Sequence, residues 1–207
     1  MTEYTNMIFD YGNVLAVYDP PSIARHFVGE AEADAFAGVF FDRVYWDAMD
    51  LGQIREEAFL SAVSVRLPQY GRDLLQRVLR EWYRVLPVMP GMPALTEALR
   101  GQGKHLYLLS NISVDFAAHA REMPMLDKFD GLVMSGPLGI AKPSRAIYRY
   151  LLDTYALRAQ DCLFIDDREE NLFGAAEEGI AGYHFDGNTA ALAQALGFSS
   201  FLERDPA

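Results

Sequence analysis

Apolar positions along the chain recur with two different spacings, and the change between them divides the sequence into regions. Met7 to Phe9 is a short apolar run that stops at Asp10, with the turn pair Gly12-Asn13 directly behind it. A run this short, closed by turn residues, predicts a buried β-strand. From Pro20 to about Leu86 the spacing is helical: Ile23 and Phe27, then Ala35, Phe36, Val39 and Phe40, then Ala58, Phe59, Ala62 and Val63. Arg66 to Arg84, with Leu67, Leu74, Leu75, Val78 and Leu79 on one face, reads as a single amphipathic helix without chemistry of its own. Pro87 to Pro93 breaks the pattern, and Ala94 to Arg100 forms a short helix that Gly101 ends. Beyond it, strands are predicted at His105–Leu109, Leu132–Met134, Cys162–Ile165 and Gly182–Phe185. Helices are predicted at Arg145–Tyr155 and at Leu172–Glu178, the second stopped by Gly179.

Strands alternating with helices predict an α/β fold, a Rossmann-like parallel sheet covered on both faces. The helical block interrupts that alternation and reads as an inserted α-helical cap. The expected division is a core of residues 1–18 and 87–207 and a cap of residues 19–86.

Composition changes this picture little. The 207 residues suit one such domain, and 51% are hydrophobic, enough for a substantial core. A formal net charge of −11 speaks against nucleic acid or an anionic membrane as partner. It still permits a small phosphorylated metabolite wherever a metal ion and a few cations reverse the field locally. The single cysteine, Cys162, lies in an apolar run and reads as core filler. Met1 to Asn6 is polar and acidic, unlike a secretory signal, so a reducing cytoplasm is the expected location.

Four polar clusters follow apolar runs or precede helices: Asp10-Tyr11-Gly12-Asn13, Ser110-Asn111, Lys142-Pro143, and Asp166-Asp167 with Asn171. In an open parallel sheet, loops at the carboxyl ends of the strands can bring such clusters together. Each has a plainer reading. Asp10 could be a turn residue, Ser110-Asn111 a helix N-cap pair, and Lys142 a solvated lysine. Adjacent carboxylates directly after a buried run are harder to dismiss, because they repel unless a cation or solvent relieves them. Together the clusters fit one chemistry. A carboxylate can attack phosphorus to form an aspartyl phosphate, paired aspartates can hold Mg²⁺, and a lysine with a Ser/Asn pair can hold phosphate oxygens.

In order and surroundings these clusters resemble the haloacid dehalogenase (HAD) superfamily. IFDYGNVL resembles its first motif, LLSN its second, AKPSRAIYRYLL its third and FIDDREENLFGAAEEGI its fourth, and the cap falls where one cap class is inserted. The form D-x-G-N is similar to a branch near sugar-1-phosphate phosphatases and the phosphatase domain of soluble epoxide hydrolase. The resemblance implies a Mg²⁺-dependent hydrolase of a small phosphomonoester, a sugar phosphate among the options. It implies that Asp10 is nucleophile and metal ligand, that the Gly12 backbone carbonyl and Asp167 complete the metal ligands, and that Asp166 and Asn171 stand behind them. Ser110, Asn111 and Lys142 are implied to bind phosphate.

One position departs from the pattern. Most phosphatases of this kind carry a second aspartate two places after the nucleophile, and here that place holds Gly12. Glycine can present a carbonyl but cannot transfer a proton, and positioned acid–base catalysis contributes about 10²–10⁴-fold. Either the leaving group is acidic, so that activity falls steeply with its pKa, or a cap residue or the substrate supplies the proton. Asp19, His26, Asp47 and Asp50 are the unranked cap candidates. Two rivals stand beside the phosphatase: a metal-independent dehalogenase on the same scaffold, and a catalytically silent phosphate-binding or regulatory protein. Glu169, Glu170, Glu177 and Glu178 read as a solvated helix face, His105, His119 and His184 as structural or exposed, and Tyr45 and Trp46 as cap packing.

Overall fold

The computed structural model describes residues 4–198, so the first three and last nine residues, including part of the polar N-terminal stretch, lie outside the described residues. Five parallel strands form one sheet in the order β3-β2-β1-β4-β5. They are β1 (Asn6–Phe9), β2 (His105–Ser110), β3 (Gly131–Met134), β4 (Cys162–Asp166) and β5 (Ala181–His184). Every residue of β1 and β4 is buried, as central strands covered on both faces must be. At the edges burial alternates along β3 and β5.

Side-chain parity assigns the two covering layers. Met7, Phe9, Leu106, Leu108, Leu163 and Ile165 point into one layer. There they meet α6 (Met92–Gly101), α7 (Val114–His119) and α11 (Thr189–Ala195). Ile8, Tyr107, Leu109, Cys162 and Phe164 point the other way, onto α9 (Arg145–Thr154) and α10 (Glu169–Ala176). Cys162 is core filler, its thiol pushed up to about 11 by burial. The chain runs from β1 outward to β3, then returns to β4 on the other side of β1. The β1–β4 boundary is therefore the switch point where such sheets bind ligands.

Between β1 and α6 lie five helices: α1 (Pro20–Val28), α2 (Ala33–Phe40), α3 (Arg43–Asp50), α4 (Glu56–Arg66) and α5 (Arg72–Glu81). They share an apolar cluster of their own around Phe36, Phe40, Trp46, Phe59 and Val63. Trp46 packs on Phe40, Phe41, Phe59 and Trp82, while Tyr45 lies under the Arg66 guanidinium. The Asp19 carboxylate caps α1 by accepting from the Ser22 N–H, with prolines in the first turn. The chain enters and leaves this block side by side: Val17 N–H donates to Pro87 O and Met89 N–H to Leu15 O.

Several expected boundaries move. The stretch from Arg66 to Arg84 is not one helix, because α4 ends at Arg66 and α5 starts at Arg72. Pro68 drives Leu67 out of helical geometry, and Gly71 opens the next helix. Helix α10 starts three residues before Leu172, at Glu169, because two glutamates favour a first helical turn. Pro93 sits inside the first turn of α6 rather than before it. Glu178 is not a solvated face residue. Its carboxylate holds Arg145 at 2.5 Å and Arg149 at 2.8 Å, fastening α9 to the segment after α10. Among the described residues, no helix is long and apolar enough to cross a membrane.

Candidate active site

The switch point gathers the predicted residues. Asp10 follows β1, and its N–H donates to Ile165 O, which ties it to the end of β4. Its carboxylate is buried, and one oxygen receives three donors: the Tyr11 N–H at 2.7 Å, the Ser110 hydroxyl at 2.5 Å and Lys142 Nζ at 2.8 Å. Ser110 ends β2 and caps no helix; the cap of α7 is Ser113, whose hydroxyl accepts from the Phe116 N–H.

Lys142 is not a solvated lysine. It is 5% exposed, and Nζ bridges Asp10 and Asp166, the latter at 2.6 Å. Burial works against its ammonium, but the two carboxylates outweigh that and hold it above the ordinary lysine range. Asn111 clasps the backbone of this residue from both sides, donating to Lys142 O at 3.0 Å and accepting from Lys142 N–H at 2.9 Å. The Lys142–Pro143 peptide is cis.

Asp166 is fully buried at the end of β4. Its carboxylate accepts from Lys142, from the Arg168 N–H and from the Asn171 amide. Burial and the nearby Asp10 charge push it up to about 6, against the pull of Lys142 and Asn171. Asn171 is fixed in turn, since its backbone carbonyl accepts the Tyr148 hydroxyl at 2.7 Å. Asp167 is half-buried and raised by burial and by Asp10. One oxygen from each of Asp10, Asp166 and Asp167 lies within 4.8 Å of the others. Three hard oxygen donors crowded together, with Lys142 satisfying only one side, form a donor set that suits Mg²⁺.

In the sequence Asn13 reads only as a turn residue. Its left-handed backbone, φ 56°, is one that asparagine tolerates, and it aims the amide across the site. The amide accepts from the Tyr18 N–H and donates to Asp167 at 3.3 Å, joining the β1 and β4 loops. His184, read as structural or exposed, stands beside the Asp167 carbonyl at 3.0 Å. Ser135, fully buried after β3, was not foreseen either; its hydroxyl donates to the Asp50 carbonyl and accepts from the Ile112 N–H. No local pattern marks Ser135, because its partner lies 85 residues away.

The four cap candidates separate. Asp19 is exposed and engaged as a helix cap, His26 is exposed beside Phe27, and Asp47 is exposed near Arg43. Asp50 alone is half-buried. Burial and the charges of Asp47 and Asp10 hold its carboxyl well above the usual carboxylate range, while a bond from the Ser113 N–H pulls the other way. Beside Ser113 and Met49 opens a cleft of about 600 Å³, lined also by Trp82, Tyr83, Phe116 and His119.

The comparisons with known proteins agree with this architecture. The chain is 26% identical to the sesquiterpene phosphatase AstK of Aspergillus oryzae, over 88% of this chain and 90% of that one. It is 23% identical to a D-ribitol-5-phosphate phosphatase of Bacteroides thetaiotaomicron, over 84% and 88% of the two chains. A HAD family enzyme from the same bacterium, crystallised with magnesium and inorganic phosphate, superposes with a TM-score of 0.71 at 20% identity, covering 89% of this chain and 96% of that one. The family model for haloacid dehalogenase-like hydrolases matches residues 4–179, from before β1 to beyond α10 and through all four polar clusters. The chain therefore belongs to the haloacid dehalogenase-like hydrolases.

Proposed function

We propose that this hydrolase cleaves a small phosphomonoester through an aspartyl phosphate on Asp10. The convergence of Asp10, Asp166 and Asp167 carries the reading. Carbon substitution by a dehalogenase has no use for such a cluster, whereas phosphoryl transfer must offset the approach of one anion to another.

In this reading the free oxygen of Asp10 attacks phosphorus while Tyr11 N–H, Ser110 and Lys142 hold the other. Ser110 and Lys142 also face the phosphate, and Asn111 sets the Lys142 backbone that aims the ammonium. Asp10, the Gly12 carbonyl and Asp167 hold Mg²⁺, with Asp166 and Asn171 behind them. Bound there, Mg²⁺ supplies positive charge to the phosphoryl oxygens and the attacking carboxylate. Residues 19–86 act as a cap that excludes bulk water, and the alcohol part of the ester sits in the cleft along Trp82 and Phe116.

The relatives named phosphatases for a sesquiterpene and for ribitol 5-phosphate set the test panel. Phosphate release is measured from sugar phosphates, a polyol phosphate, nucleotides and an isoprenoid phosphate, with Mg²⁺ and with EDTA. The expected result is release from at least one ester, abolished by EDTA and by Asp10→Asn. Halide release from a 2-haloacid that survives EDTA would assign the dehalogenase reaction instead. Retention of phosphate and Mg²⁺ binding without any turnover would assign the silent binding protein.

A further inference from the structure

An ordinary alcohol leaves phosphorus readily only if its oxygen gains a proton, and Gly12 has none to give. The groups around Asp10 are committed: Lys142 bridges two carboxylates, Ser110 donates to Asp10, and Asp166 receives several donors. Of the carboxyl and imidazole groups that line the cleft, Glu81, Asp115 and His119 are exposed and Glu56 is paired with Arg80, which leaves Asp50 of the cap as the half-buried acid without a partner role.

Asp50 is the last residue of α3, and its backbone is clamped to the core. The Asp50 carbonyl accepts the Ser135 hydroxyl at 2.5 Å. Two residues on, Gly52 has φ 66° and lies so close to Gly136 that a Cβ would stand 2.4 Å from its carbonyl oxygen. The end of α3 is thus seated against the short helix α8 (Ser135–Leu138) that follows β3. The Asp50 carboxyl is half-buried; the charges of Asp47 on its own helix and of Asp10 from β1 favour its neutral form, the Ser113 N–H opposes them, and the carboxyl acts in turn on the Tyr18 hydroxyl. Ser113 and Met49, its neighbours, line the cleft. The C-terminal end of a helix also disfavours an anion. Burial, the two aspartates and the helix end all favour a carboxyl that keeps its proton, on the helix end whose Met49 lines the leaving-group cleft.

We propose that Asp50 is the acid–base residue of this hydrolase, a role that rests on the phosphatase reading above. As the Asp10–phosphorus bond forms and the ester P–O bond breaks, the Asp50 proton passes to the departing oxygen. The Asp50 carboxylate then takes a proton from water as that oxygen bonds to phosphorus and the Asp10–phosphorus bond breaks. Phosphate leaves, and both aspartates are restored.

The test compares wild type, Asp50→Asn and Asp50→Ser, with Mg²⁺, on 4-nitrophenyl phosphate and on a simple alkyl phosphate. The first leaving group needs little protonation; the second needs it fully. Both variants are expected to lose about 10²–10⁴-fold in kcat/KM on the alkyl ester. On 4-nitrophenyl phosphate they are expected to release a burst of nitrophenol equal to the enzyme present and then to slow, because the second step lacks its base. Asn and Ser keep an acceptor for the Ser113 N–H, so a merely structural role would lower both substrates alike and give no burst. That result, or variants matching wild type on both esters, overturns the assignment of Asp50 and leaves the phosphatase intact. A wild type that releases phosphate from no ester overturns the phosphatase reading, and the Asp50 role with it.

Discussion

Lys142 fixes the charge balance of the site, because one buried ammonium separates two carboxylates that would otherwise face each other. Removing one partner of a buried ion pair costs about 3–5 kcal/mol. Lys142→Met should therefore lose activity and also lower stability in urea denaturation by roughly that amount. Gly12 is the opposite case. It has no left-handed backbone to protect, and a Cβ there would stand 3.6 Å from the Tyr18 Cβ, an ordinary contact. Gly12→Asp placed in the Asp50→Asn background should fold and regain turnover of the alkyl phosphate, measured by phosphate release. Asp10, Ser110, Lys142, Asp166 and Asp167 were legible in the sequence because each polar group directly follows an apolar run or precedes a helix. Asn13 was legible only as a turn, and Asp50 only as one of four, since their partners come from other elements. Asn111 was visible as a residue, but its reciprocal hold on the Lys142 backbone was not.

At the scale of elements, strand positions followed directly from short apolar runs, whereas helix limits depended on single residues. Pro68 and Gly71 divide a stretch whose leucines keep helical spacing throughout, so periodicity alone ran through the break. Helix α7 is six residues long, too short for a periodic signal, and α11 (TAALAQA) has one large apolar residue, Leu192, among alanines and two polar residues. The site depends on how closely some elements meet. On α10, Gly174 packs against the loop that carries Lys142, and a Cβ there would stand 2.4 Å from the Pro143 carbonyl oxygen. Gly174→Ala must displace that loop, and it crowds the Tyr148 ring that fixes Asn171, although it touches none of the carboxylates or Lys142. A shift of about 1 Å in a catalytic group can cost on the order of 10²-fold. A kcat reduced by that order, with secondary structure unchanged by circular dichroism, is expected.

Across the whole molecule, the carboxylate cluster links stability to pH and to Mg²⁺. Folding raises Asp166 to about 6 from an ordinary 3.8 and also raises Asp167 and Asp50. A carboxyl raised by folding contributes stability below its unfolded pKa, and that contribution is lost as pH rises through the folded value. The ion-paired carboxylates of Asp42, Glu122, Glu170 and Glu178 are lowered and act in the opposite sense, but they lie outside the cluster. The rise in Tm on adding Mg²⁺ isolates the cluster: it should be largest near pH 7 and fade towards about pH 4, where protons compete for the same oxygens. A Mg²⁺ effect independent of pH would place the ion elsewhere on a molecule of net charge −11. The central claim is covalent chemistry at Asp10, and acid quenching during turnover of an active phosphomonoester, followed by peptide mass spectrometry, tests it most directly. The account predicts a phosphoryl group on the peptide containing Asp10, absent from Asp10→Asn and after EDTA treatment. Steady phosphate release in which Asp10 is never labelled, and which Asp10→Asn leaves undiminished, would contradict it.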